Sequence, residues 1–133
     1  MTNDPKITET IIALESAALE RWGNGDPSGF LEICAPSVVY FDPYLEKRID
    51  GIEALTQYYK GLWGQVHFDR FELLNPCVQT DGKLAVLTFN YASYTGEKAS
   101  LWNCTEVYRQ SENGWRIIQT HWSYTCHPGI VGN

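Results

Sequence analysis

The segment Leu101 to Tyr124, LWNCTEVYRQSENGWRIIQTHWSY, constrains the fold more than any other part of the chain. Two runs of alternating aromatic, β-branched and polar residues flank Glu112-Asn113-Gly114, the pattern of two long strands joined by a tight turn. The turn sets which side chains share a face. A two-residue loop at Asn113-Gly114 places Glu106 opposite His121. A three-residue loop with Gly114 left-handed places Glu106 opposite Thr120, diagonal to Trp122. The second register gathers Trp102, Cys104, Glu106, Tyr108, Ile118, Thr120 and Trp122 on one face. It leaves Asn103, Thr105, Val107, Arg109, Ile117, Gln119 and His121 on the other. It gives the cleaner apolar separation, and register follows the hydrophobic pattern. Glu106 then stands as an acid among rings, which is costly without a partner or a proton.

The rest of the chain reads as helices followed by strands. Ile11, Leu14, Ala18 and Trp22 recur at helical spacing within Ile7 to Trp22, with Thr8 as a capping residue and Gly23-Asn24-Gly25-Asp26-Pro27 as the stop. Ser28 to Cys34 forms a short second helix that Pro36 ends. Val38 to Asp42 is a strand stopped by Pro43. Asp50-Gly51 opens a third helix, Ile52 to Trp63. Strands follow at about His67 to Gln79, Lys83 to Tyr94, Ser100 to Gln110 and Trp115 to Thr125, with turns at Asp81-Gly82 and Thr95-Gly96. That order gives an α+β fold: a cone-shaped, curved antiparallel sheet with the N-terminal helices on its concave face, enclosing a pocket. The length of 133 residues suits a single domain, 1–133.

The formal charge of −6 argues against nucleic acid or an anionic membrane as partner. No apolar run reaches the roughly 20 residues that span a bilayer, and Met1 to Glu9 lacks the pattern of a signal peptide. Cys34, Cys77, Cys104 and Cys126 show no paired spacing, so free thiols in a cytoplasmic protein are expected. Cys126 and His127, with His121 and Cys104, fit no zinc pattern, and no glycine-rich phosphate loop is present. No metal and no cofactor are therefore expected.

The motifs Asn24-Gly25-Asp26, Phe41-Asp42-Pro43, Asp50-Gly51, Leu74-Asn75-Pro76, Thr105-Glu106-Val107-Tyr108, Gly114-Trp115-Arg116 and His121-Trp122-Ser123 come in an order that resembles the nuclear-transport-factor-2-like superfamily. The resemblance spans roughly Ile7 to Pro128. That superfamily includes ketosteroid isomerases, SnoaL-type polyketide cyclases and the association domain of calcium/calmodulin-dependent kinase II. Fold resemblance of this kind implies architecture more firmly than activity. Against the kinase association domain, pocket arginines fall on Asn90, Glu106 and Trp122, implying an acidic and aromatic pocket. Against the ketosteroid isomerases, the general-base aspartate falls on Asp42, the oxyanion-hole aspartate on Glu106, and pocket aromatics on Tyr59 and Trp122. Their principal oxyanion-hole tyrosine falls on Ala18, so that donor is absent.

Asp42 has two readings: a turn former before Pro43, or a proton acceptor facing the cavity beside Tyr40. Glu106 also has two: a protonated acid donating to a ligand oxygen, or a pocket organiser bonded to Tyr40, Asn90 or Tyr59. The resemblance to ketosteroid isomerases implies the first, since those enzymes divide the labour between an aspartate base and a neutral acid. The expected ligand is small, apolar or cyclic, and neutral or cationic. Trp22, Tyr40, Tyr44, Tyr59, Trp63, Asn90, Trp102, Cys104 and Trp122 are expected to bind it. Two functions are open. One is a small-molecule-binding protein, with cofactor-independent isomerase or cyclase chemistry at Asp42 and Glu106. The other is an assembly module without catalysis. Val107, Trp115, Ile117 and His121 make the outer sheet face apolar enough for a homodimer.

Overall fold

The computed structural model describes residues 3–125; Cys126, His127 and the end of the family resemblance, up to Pro128, lie outside them. Three helices precede the long strands: α1 Pro5–Gly23, α2 Ser28–Ile33 and α3 Ile52–Lys60. The strands are β1 Cys34–Phe41, β2 Ile49–Asp50, β3 Arg70–Thr80, β4 Leu84–Thr95, β5 Lys98–Ser111 and β6 Gly114–Tyr124. They form one curved, unclosed sheet in the order β2-β1-β6-β5-β4-β3. The fold is α+β as expected, with one amendment: β1 pairs with β6 in parallel, so the sheet is mixed.

Helix α1 starts two residues earlier than its apolar pattern. Asp4, not Thr8, caps it, accepting from the amides of Lys6 and Ile7 at 3.0 and 3.1 Å. Its buried stripe is Ile11, Glu15, Ala18 and Leu19. The Asn24-Gly25-Asp26 turn is locked electrostatically. The Arg21 guanidinium bonds Asp26 and Glu32, each at 2.9 Å. Pro36 does not end α2; the chain passes into β1 at Cys34, and Pro36 lies in the irregular stretch where β1 slips register against β6. In β3, Asn75 takes a φ of 52° within a bulge between Leu74 and Cys77. Asn tolerates that left-handed conformation better than most residues, and bulges bend strands.

The β5–β6 hairpin has the register that the hydrophobic pattern favours, reached by another route. Glu106 pairs with Thr120 and Thr105 with His121. The loop, however, holds only Glu112 and Asn113, since Ser111 pairs with Gly114. The extra residue enters at a bulge beyond the Tyr108–Ile117 pair, because Val107 pairs with Gln119. Trp115 and Ile117 therefore turn inward, 7% and 1% exposed, and Ile118 takes the bulge. The outer sheet face loses the two large apolar groups expected there. It carries Asn103, Thr105, Arg109, Gln119 and His121, all exposed.

The concave face is closed by the helices. Ile11, Leu19, Leu55, Leu87, Tyr108 and Ile117 form the fully buried centre, each 1% exposed or less. A loop from Gly61 to Phe68 is tied to the end of α1: the Gly64 amide donates to Gly25 O at 2.9 Å and the Phe68 amide to Gly23 O at 3.2 Å. Packing between the helices and the sheet is incomplete beside this loop, and a cavity remains there. Among the described residues no helix is long and apolar enough to cross a membrane.

Candidate functional site

The cavity has a volume of about 370 Å³, within the usual range for small-molecule sites. Helix α1 contributes Leu19 and Trp22, and α3 contributes Tyr58 and Tyr59. The sheet adds Tyr40, Tyr91, Ser93, Ser100, Trp102 and Trp122. These rings meet edge to face: Trp22 and Tyr59 at 5.2 Å, Tyr91 and Trp122 at 5.6 Å, Trp102 and Trp122 at 6.2 Å between centroids. Such packing fixes the ring positions and leaves a rigid wall.

Asp42 lies in that wall, just beyond β1. Its Oδ2 accepts hydrogen bonds from the hydroxyls of Tyr40, at 2.8 Å, and Tyr58, at 2.6 Å. Its Oδ1 accepts from the Tyr44 amide at 2.8 Å. A carboxylate offers about four acceptor sites, so Oδ1 retains one for a ligand. Burial, then the neighbouring Asp42, pushes the Tyr58 hydroxyl well above its ordinary range and keeps it a donor. Tyr40 is raised by burial first, then by Tyr59 and Asp42.

Glu106 is elsewhere. It is fully buried and absent from the cavity wall, facing Glu15 of α1, which is equally buried. The Tyr108 hydroxyl donates to Glu15 Oε1 at 2.6 Å, and the Cys104 thiol donates to Glu106 Oε1 at 3.5 Å. The other oxygens, Glu15 Oε2 and Glu106 Oε2, have no donor from any other group. Two buried carboxylates cannot both ionise side by side, so the pair holds a shared proton. Burial, then the charge of Glu15, pushes Glu106 well up; burial also raises Glu15. Burial and the same two acids raise the thiols of Cys34 and Cys104, which makes both poor nucleophiles. Cys34, Cys77 and Cys104 are free.

Of the residues expected at the site, Asp42, Trp22, Tyr40, Tyr44, Tyr59, Trp102 and Trp122 share the cavity. Cys104 lies outside its wall, bonded to Glu106. Asn90 does not face it: the side chain is exposed on the outer face and donates to Asn103 Oδ1 at 2.8 Å. Strand parity explains this, because Phe89 and Tyr91 take the concave side of β4. Trp63 is 51% exposed and outside the cavity, because α3 ends at Lys60 and the following turn carries the ring outward. Glu15, Tyr58 and Tyr91 were not among the expected residues. The spacing Ile11, Glu15, Ala18, Leu19 was a visible signal for Glu15.

An α+β cone with helices on its concave face and a polar-tipped aromatic cavity defines a nuclear-transport-factor-2-like protein. The SnoaL-like domain model matches residues 16–120, and the chain belongs to that family. A protein of Parabacteroides distasonis ATCC 8503, solved as a candidate ketosteroid isomerase, is 48% identical over 90% of this chain and 88% of its own, with a TM-score of 0.81. A Pseudomonas putida KT2440 protein of unknown function, described as NTF2-like, matches 94% of this chain and 91% of its own at 22% identity and a TM-score of 0.81. The S. rosetta calcium/calmodulin-dependent kinase II hub matches 88% of this chain and 95% of its own at 17% identity and a TM-score of 0.72. The last two likenesses concern the fold alone. Among curated proteins, none matches the sequence.

Proposed function

We propose that this protein binds a small, mostly apolar, ring-bearing molecule in the aromatic cavity, with Asp42 as the acceptor for the ligand's most acidic hydrogen. The observation that carries this is Asp42 itself: a carboxylate in the wall of a ring-lined cavity, held by two tyrosine hydroxyls and an amide. The chemistry such a site supports is proton abstraction next to a carbonyl, of the isomerase or cyclase type and without a cofactor. The likeness to the candidate ketosteroid isomerase supports that reaction class. Glu106 serves it at one remove. It holds α1, and hence Leu19 and Trp22, against the sheet, and does not donate to the ligand directly.

A cavity-filling substitution tests the binding. Ser93 lines the cavity on β4, and Ser93→Phe puts a ring into the space. In calorimetry with cyclohex-2-enone, wild type should give a saturable heat and Ser93→Phe at least about tenfold weaker binding. Equal binding by both proteins would place the ligand elsewhere.

A second reading, an assembly module, is favoured by the likeness to the kinase hub. Phe41, 39% exposed and stacked on His121 at 5.1 Å, is the apolar group on which a homodimer through the outer face would close. A large ring in light scattering would put this reading first, and a monomer or dimer would leave the cavity reading ahead.

A further inference from the structure

We infer that the cavity's ligand is an organic cation, its charged head seated between Asp42 and the surrounding ring faces. This rests on the reading of the cavity as a ligand site and deepens it by naming the ligand's charge.

Among the described residues, Asp42 is the one acidic side chain in the cavity wall, and no lysine or arginine lines it. The remaining titratable nitrogen there is the imidazole of His67, tied through Nε2 to the Gly64 carbonyl at 3.1 Å. None of the four ion pairs among the described residues includes Asp42. Its three donors, Tyr40, Tyr58 and the Tyr44 amide, are neutral. They orient the carboxylate without cancelling its charge. Asp42 is half-buried, and a carboxylate in a partly desolvated wall gains from a cationic partner that the described residues do not supply.

The rings around it act in the same direction. An aromatic face is electronegative and attracts a cation, more strongly when water is excluded. Tyr44 and Trp102 stand edge to face at 6.3 Å, and Tyr40 and Tyr58 lie 5.9 Å apart. All four belong to the cavity wall. An anion would meet Asp42 with no compensating charge, and a neutral ligand would leave Asp42 unpaired. A cation satisfies both the carboxylate and the rings. Ser93, Ser100 and Gln65 offer neutral hydrogen-bonding groups to the rest of the molecule.

Three probes of similar size test this: phenyltrimethylammonium, its uncharged counterpart tert-butylbenzene, and benzenesulfonate. Binding to the intact protein is followed by tryptophan fluorescence. The cation should bind at least about tenfold more tightly than tert-butylbenzene, and benzenesulfonate should not bind. Asp42→Asn should weaken the cation at least about tenfold and leave tert-butylbenzene unchanged. The wild-type comparison holds even if that variant folds poorly. Equal or tighter binding of tert-butylbenzene would overturn the cation inference and leave the cavity as a ligand site. Failure of all three probes to bind, with cyclohex-2-enone failing as well, would overturn both.

Discussion

Glu106→Gln should make the protein more stable than wild type at alkaline pH and leave it nearly as stable near pH 4.5. The reason is the proton shared by Glu15 and Glu106. Both carboxyls are held above the ordinary glutamate value of 4.5 by burial, and Glu106 is raised the more strongly because the charge of Glu15 adds to its burial. The unfolded chain ionises both near that ordinary value. Below about pH 4.5 folded and unfolded states alike are protonated, and the pair's contribution is fully present. As pH rises, the unfolded chain releases a proton that the folded protein retains. Stability then falls by up to about 1.4 kcal/mol per pH unit for each retained proton, until the folded pair itself ionises. A glutamine at 106 donates its amide N–H to Glu15 and has no proton to lose. Its Oε1 still accepts from Cys104. The gain over wild type should therefore grow steadily as pH rises above about 4.5. Urea titrations of both proteins at several pH values provide the check. Parallel stability curves would mean that the pair holds no extra proton.

The second large effect concerns Asp42. If the cavity turns over a cyclic enone, Asp42→Asn should lower the rate of proton exchange at the acidic carbon by about 10²–10⁴, the usual contribution of a positioned base. The amide oxygen can still accept from Tyr40 and Tyr58, and the loss is confined to the bond from the Tyr44 amide, so KM for a neutral substrate should change little. A loss confined to kcat is what removal of a group acting in the transition state produces. Incorporation of solvent deuterium into cyclohex-2-enone, followed by NMR, measures it. Exchange at the same rate in both proteins would remove Asp42 as the base.

The elements of the fold were legible because each carries its own punctuation. Apolar spacing marked α1, Gly51 opened α3, and Asp81-Gly82 and Thr95-Gly96 ended strands. The β5–β6 register was legible for a good physical reason with an incorrect device. Hydrophobic alternation demanded that Glu106 oppose Thr120, and a bulge met that demand in place of a longer loop. The same bulge reversed Trp115 and Ile117, which no local pattern announces. Asn90 was misplaced because both faces of its strand carry apolar groups, Val86 beside Asn90 on one and Leu87, Phe89 and Tyr91 on the other, so the choice of inner face depends on what packs above. Glu15 looked like an ordinary helix acid. Its helical spacing with Ile11, Ala18 and Leu19 hints at burial, but its partner Tyr108 lies 93 residues further along the chain, so only the tertiary fold shows what it meets. Asp42 was visible because the chain places it two residues from Tyr40, on one face, before a proline.

The five tryptophans supply the most direct test of the cavity as the ligand site. Trp22, Trp102 and Trp122 line it, whereas Trp115 is buried outside the wall and Trp63 is exposed outside it. Their indole N–H signals can be resolved by NMR and assigned by single substitutions, then followed while cyclohex-2-enone or phenyltrimethylammonium is added. Binding in the cavity predicts concerted shifts of Trp22, Trp102 and Trp122, with Trp63 and Trp115 unmoved. Shifts confined to Trp63 or Trp115, or none with either compound, would contradict it.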